Sequence, residues 1–346
     1  MVNPLTLVSG GCALMAAAVA ASTNDPFLRL ESYPHSLTRP FLDKYLSSRF
    51  YDYGGSTLIR SDSFVRLTGD RPGESGWLFS KLPAVPEHFQ VEFDFKIHGQ
   101  SAALYGDGMA FWVTTHKGET GPVFGSSDRF EGLGVFFDTY KNNRPGKSFP
   151  YVMAMMGDGK TEYDAAHDGL ANEIGGCSGR GLHNPRDVSR ARVTFVRNKF
   201  LAVDLDIKGQ NKWQNCFVIT DTSKLNLPRS TFMGFSARTG ELSENHDLHR
   251  VQVYSLRNPP QSYAELVRGD AGDLARPASN YDDVYGNQYG SSGTSSSSSG
   301  GGFGAWLWFL FKSIAFLAVA AALGVVGYGL YVTKNKKQKK SGDYYL

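Results

Sequence analysis

Between Phe27 and Leu256 the chain returns nine times to a short apolar run closed by Gly, Pro, Asn or Asp, and this rhythm constrains the fold more than any other feature. The runs are STLIRSDSFVRL, FQVEFDFKIHG, GMAFWVTTH, GLGVFFDTY, PYVMAMMG, ARVTFVRN, FLAVDLDIKG, FMGFSART and HRVQVYSL. FQVEFDFKI alternates strictly, which predicts an antiparallel strand with one wet face, whereas GLGVFFD is almost wholly apolar and suits an inner strand. Strands do not alternate with helical segments, so the expected class is all-β, an antiparallel sandwich or jelly roll. The 39 glycines and 15 prolines fit a chain that turns often.

The ends of the 346 residues read differently. Residues 10–22 (GGCALMAAAVAAS) are a short apolar run ending in small residues, which predicts a secretory signal peptide over residues 1–21, although no positive charge precedes it. Residues 258–304 are expected to be a flexible linker, with GSSGTSSSSSGGG at 290–302 and no heptad pattern for a coiled-coil stalk. Residues 305–332 predict a transmembrane helix: AWLWFLF supplies interfacial tryptophans, and the apolar stretch from Ser313 to Val332 is long enough to cross a hydrocarbon core of about 30 Å. Lys334, Lys336, Lys337, Lys339 and Lys340 follow, so residues 333–346 form a basic tail that the positive-inside rule puts in the cytosol, giving a single-pass type I topology with the N-terminal domain in the lumen. The ending GDYYL has no dilysine signal; its aromatic-aliphatic end is either a vesicle-coat export signal or a solvated tail. The lysine cluster accounts for the net charge of +3, and no basic stripe interleaved with aromatics points to nucleic acid.

If Cys12 leaves with the signal peptide, Cys177 and Cys216 remain as a pair in an oxidising compartment, which predicts a disulfide; two buried free thiols are the alternative. Three polar clusters follow strands: Gly106-Asp107-Gly108, Asp138-Thr139-Tyr140-Lys141-Asn142, and Tyr163-Asp164-Ala165-Ala166-His167-Asp168-Gly169. In the second, an extended loop directs the Asp138 carboxylate, the Tyr140 carbonyl and the Asn142 side-chain oxygen to one point, and Asp168 completes an all-oxygen set of the kind Ca2+ prefers. Plain turn formation is the competing reading.

HSLTRPF at 35–41, GGSTLIRSDSFVRLTGDR at 54–71, FKIHGQ at 95–100, GDGMAFWVT at 106–114, GPVFGSSDRFEGLGVFFDTY at 121–140, FPYVMAMMGDG at 149–159 and TGELSENHD at 239–247 resemble the legume-like (L-type) lectins of animals and fungi. These are cargo receptors that cycle between ER and Golgi, and this chain resembles their short-stalk, vesicular integral-membrane type. The resemblance implies a concanavalin-like sandwich over residues 27–257, a calcium cofactor, high-mannose N-glycans on secretory glycoproteins as partners, and residence in early secretory membranes. Carried over by position, it implies Asp138, Tyr140 (carbonyl), Asn142 and Asp168 as calcium ligands, and Asp107, after a cis peptide, as the sugar-binding aspartate. It also implies Asn142, Gly240, Glu241 and Leu242 in the sugar site and the Cys177–Cys216 disulfide. Two positions depart from the family pattern. Ala165 stands where a sugar-contacting histidine is usual, leaving His167 as the candidate, and Gly73 stands where a serine is usual.

Two other functions compete. A glycan hydrolase on the same fold needs paired carboxylates, and the nearest pattern, Glu92-Phe93-Asp94-Phe95-Lys96, breaks at Lys96. A lectin-fold adaptor that recognises polypeptide without sugar is the other. The expected protein is a lectin and not an enzyme.

Overall fold

In the computed structural model, which describes residues 25–84 and 87–273, the apolar rhythm becomes two facing antiparallel sheets. In chain order the strands are β1 (Arg29–Glu31), β2 (Tyr51–Gly55), β3 (Leu58–Arg60), β4 (Phe64–Thr68), β5 (Ser75–Ser80), β6 (His88–His98), β7 (Gly108–Thr114) and β8 (Glu131–Asp138). They continue as β9 (Tyr151–Asp158), β10 (Gly175–Ser178), β11 (Ser189–Val196), β12 (Phe200–Asp206), β13 (Gln214–Ile219), β14 (Phe232–Arg238) and β15 (Asn245–Leu256). One sheet has eight strands in the order β13-β12-β11-β6-β15-β4-β3, with β1 added against β15; the other has seven, β10-β9-β8-β7-β14-β5-β2.

The strand period decides the layers. Along β6, Phe89, Val91, Phe93, Phe95 and Ile97 are fully buried between the sheets. Phe93 meets the rings of Phe111, Phe137 and Phe235 from the opposite sheet at 5.6, 5.8 and 5.0 Å. The intervening Glu92 and Asp94 lie on the outer face, paired with Arg190 and Arg250. The central strands β7 and β8 of the seven-stranded sheet are dry on both faces. The sheet's outer residues Ala110, Trp112, Phe136 and Met153 are covered by Val123, Phe124 and Phe130 from the connection before β8, so GLGVFFD has no wet side to mark with polar residues.

Cys177 on β10 and Cys216 on β13 form a disulfide, Cα to Cα 5.2 Å. It ties the edge strands of the two sheets together on one side of the sandwich. Closing 39 residues of chain contributes about 4 kcal/mol in the chain-entropy view.

One boundary differs from expectation. The flexible linker was expected from residue 258, but Tyr263–Asp273 is an α-helix, α1. Its start carries an S-x-x-E cap: the Glu265 N–H donates to Ser262 Oγ at 3.3 Å, and Glu265 Oε2 accepts from the Gln261 N–H at 2.7 Å. Leu266 packs fully buried with Phe27, Val196, Phe200, Ala202 and Leu256. Tyr263 donates its hydroxyl to Asp204 at 2.6 Å, while Asp270 pairs with Arg29 and, at 2.6 Å, with Arg192, itself bonded to the buried Asp204. The folded domain therefore runs past 257 and closes its apolar clusters within the described residues. Ending the chain at Pro260 is expected to cost roughly 3–5 kcal/mol, because Leu266 is lost and the buried Arg192–Asp204 pair loses two partners. Thermal melts of chains ending at 260 and 273 check this; coincident midpoints would remove α1 from the folded unit.

The expected signal peptide, the remainder of the expected linker, and the expected transmembrane segment and tail lie outside the described residues. Among the described residues no helix is long and apolar enough to cross a membrane.

Candidate functional site

At one end of the sandwich Gly108, the first residue of β7, lies opposite both Asp138, the last of β8, and Arg238, the last of β14. The register thus brings the connections after β8 and β14 beside the one before β7. The Gly106–Asp107 peptide is cis. Asp107 is stitched between its neighbours: its N–H donates to the Arg238 carbonyl at 3.1 Å, and its carbonyl accepts from the Thr139 N–H at 3.0 Å. Two glycines admit it. A Cβ on Gly106 would stand 2.8 Å from Tyr140 Cβ, and one on Gly240 would stand 2.9 Å from Asp107 Oδ1.

The Asp107 carboxylate is half-buried and, among the described residues, accepts no hydrogen bond. Burial raises its pKa, the charges of Arg238 and His246 oppose that, and Glu244 adds to it. It is a partly desolvated pair of acceptor oxygens beside a glycine surface, suited to the hydroxyls of a polyol.

Asp138 and Asp168 are 5% and 1% exposed. Asp138 Oδ1 accepts from the Tyr140 N–H at 3.2 Å. Asp168, left-handed at φ 51° after the 3-10 turn Ala165–His167, accepts from the Asn142 N–H at 3.1 Å and from Asn142 Nδ2 at 2.6 Å. Burial, and then the charge of Asp168, push the Asp138 pKa well up. The nearby cation, buried Arg144, is already engaged: it pairs with Glu173 and donates to the Asp168 carbonyl oxygen at 2.8 Å. Two adjacent buried carboxylates without a cation of their own, beside a carbonyl and an amide, are the donor chemistry of a hard divalent ion. Among the described residues no three His, Cys, Asp or Glu side chains gather as a metal site. The fit rests on two carboxylates with neutral oxygens. The Asn142 amide turns its nitrogen, not the oxygen expected of a ligand, toward Asp168; half a turn about its last bond exchanges the two.

The remaining expected residues divide. Gly240 adjoins Asp107; Glu241 is exposed and Leu242 half-buried in the same connection. His167 is 53% exposed, with Nδ1 held by Asp164 at 3.0 Å. Ala165 is exposed on the same turn. Gly73 brings no side chain, but its N–H donates to the Gly240 carbonyl at 2.9 Å and so supports the glycine surface.

Glu244 was overlooked. It is fully buried behind the site, with His183, His246 and Thr139 around it. The available signal was the alternation in Glu244-Asn245-His246, which puts two ionisable side chains on one inward face as the strand begins.

The Legume-like lectin family profile matches residues 29–263. The chain belongs to the legume-like lectin family. An L-type lectin-like domain-containing protein of Schizosaccharomyces pombe is 40% identical over 240 residues, covering 68% of this chain and 76% of that protein. The vesicular integral-membrane protein VIP36 of Mus musculus is 34% identical over 282 residues, 79% of this chain and 77% of that one. A crystal structure of the VIP36 exoplasmic/lumenal domain, described as Ca2+/Man-bound, superposes with a TM-score of 0.63 at 34% identity, covering 67% of this chain and 93% of that chain. The family is one of lectins, not enzymes, and the carboxylates of Glu92 and Asp94 are taken up by ion pairs with Arg190 and Arg250.

Proposed function

We propose that this lectin binds mannose residues of high-mannose N-glycans in a calcium-dependent manner and serves as a cargo receptor for glycoproteins between ER and Golgi. The observation that carries the reading is the unpartnered Asp107 carboxylate beside Gly240, one strand register from the buried Asp138 and its neighbour Asp168. The naming of VIP36 structures as Ca2+/Man- and Ca2+/Man3GlcNAc-bound supports the same ligand and ion here.

In this reading Asp107 accepts hydrogen bonds from two neighbouring hydroxyls of one mannose, an arrangement that depends on their stereochemistry. The connection Gly240-Glu241-Leu242 offers backbone N–H groups, and His167, oriented by Asp164, stands at the rim for a further sugar contact. Asp138, the Tyr140 carbonyl, Asn142 and Asp168 hold Ca2+, which supplies the positive charge that the two carboxylates lack and orders their connections. Asn142 directs its oxygen to the ion and its amide nitrogen to the sugar. The N-terminal signal peptide, the membrane helix over 305–332 and the cytosolic basic tail make the receptor a type I protein of early secretory membranes, with the tail available to vesicle coats.

Asn142→Ala is expected to abolish mannose binding in calcium while the thermal midpoint stays within a few degrees of the parent; unchanged affinity would remove Asn142 from the site. Retention of a high-mannose glycoprotein before and after enzymatic removal of its N-glycans tests the function itself. Loss of retention with the glycans is the lectin result. Equal retention of both forms is the adaptor result, and it would overturn the proposal.

A further inference from the structure

We propose that Glu244 is a positioning residue for sugar recognition, a buried clamp joining the three chain segments that carry Asp138, Asp107 and Gly240. This rests on the lectin reading above. The carboxylate is wholly inaccessible, and each of its contacts leads to a different part of the site. Thr139, next to Asp138, donates its hydroxyl to Oε1. His183 Nδ1 donates to Oε2 at 2.8 Å. The His183 ring stacks on Tyr105 with centroids 3.4 Å apart, and its Nε2 lies 2.9 Å from the Ser101 carbonyl oxygen and 3.0 Å from Asn184 Nδ2. Tyr105 is two residues before Asp107, so His183 carries the clamp to that aspartate. Glu244 itself follows the Gly240-Glu241-Leu242 connection with only Ser243 between, and its carbonyl accepts from Thr68 Oγ1 at 3.4 Å. Thr68 Oγ1 also meets His246 Nδ1 at 2.7 Å. His246 Nε2 approaches Oε1 at 3.4 Å, an electrostatic contact rather than a well-formed hydrogen bond.

A carboxylate at the centre of a protein costs several kcal/mol unless its partners hold it ionised. Here they do. Burial works to raise the Glu244 pKa, yet the bonds from His183 and Thr139 and the close approach of His246 lower it to about 2. Burial works to lower His183, and Glu244 with the Ser101 carbonyl more than reverses it. Its other charged neighbour, Asp70, is held by the Gln100 N–H and the Ser243 hydroxyl, which spans the same two segments from outside. None of these groups faces the sugar surface as Asp107 does; they act through the connections they fix.

The test compares residues 25–273 with the parent sequence, Glu244→Gln, which keeps the shape and removes the charge, and Thr139→Val, which removes one arm. Mannose affinity at saturating calcium, amide hydrogen exchange and the His183 imidazole titration by NMR are read on each. Glu244→Gln is expected to weaken mannose about tenfold or more and to speed exchange selectively at 101–105, 139–142 and 240–243. His183 should titrate at lower pH than in the parent. Thr139→Val is expected to weaken mannose by a smaller factor and to loosen 139–142 alone; it carries the test if Glu244→Gln does not fold. Parent-like affinity and exchange in these variants would overturn the proposal, as would loosening spread evenly over the domain. If the parent itself fails to bind mannose, the lectin reading falls, and selective exchange still decides whether Glu244 clamps these segments.

Discussion

Asp107→Asn is expected to lower mannose affinity by about a hundredfold or more while leaving the domain folded. Two charge-assisted hydrogen bonds, each worth roughly 1.5–3 kcal/mol, depend on both carboxylate oxygens accepting; an amide replaces one acceptor with a donor aimed at a hydroxyl. Stability moves little, because the structure asks nothing of this side chain. No described donor bonds to it, its backbone bonds to Arg238 and Thr139 survive the change, and burial already disfavours its charge. The expected pattern is lost glycan binding with an unchanged or slightly raised thermal midpoint. A variant that binds mannose as the parent does would displace Asp107 from the site.

Asp138→Asn is expected to separate ion binding from folding in opposite directions. The substitution removes one of two charged ligands from a hard-cation site, so calcium affinity should fall about a hundredfold or more, and mannose binding with it. Without calcium, the same variant should melt at a higher temperature than the parent, because it removes the nearly buried charge that Asp168 repels. Calcium should then raise the midpoint of the parent but not of the variant. A variant that retains the calcium-induced rise, or an ion-free parent more stable than the variant, would contradict the assignment.

Sheet content was legible where one face is wet or a run is long. β6 and β15 alternate, and β7 and β8 are uninterrupted apolar runs. β2 and β5 were not legible. YDYGG ends in two glycines, and SGWLFS is short; they belong to the fold because Gly54 lets the Trp77 ring approach, its Cβ position lying 2.5 Å from Trp77 Cζ2. That contact is between strands, and no local pattern announces it. β13 was missed for a similar reason, since QNCFVI is polar at its start and is fixed by the β12 register and the disulfide.

The candidate site shows the same division. Asp107, Asp138, Asn142 and Asp168 stood out because they sit in short polar clusters between apolar runs and because they lie in motifs resembling a known family. Glu244 did not, since its partners at positions 139, 183 and 246 meet only once both sheets are built. α1 was concealed differently. Its Ser262-x-x-Glu265 cap was readable, but the surrounding polar composition suggested a linker, and the charge it neutralises, Arg192, lies 78 residues earlier than Asp270.

The most direct measurement is calorimetric titration of a high-mannose oligosaccharide into residues 25–273, first with saturating calcium and then with a chelator in excess. Saturable binding with calcium and none with chelator is the predicted result. Binding of equal strength in both, or no binding in either, would contradict a calcium-dependent mannose lectin.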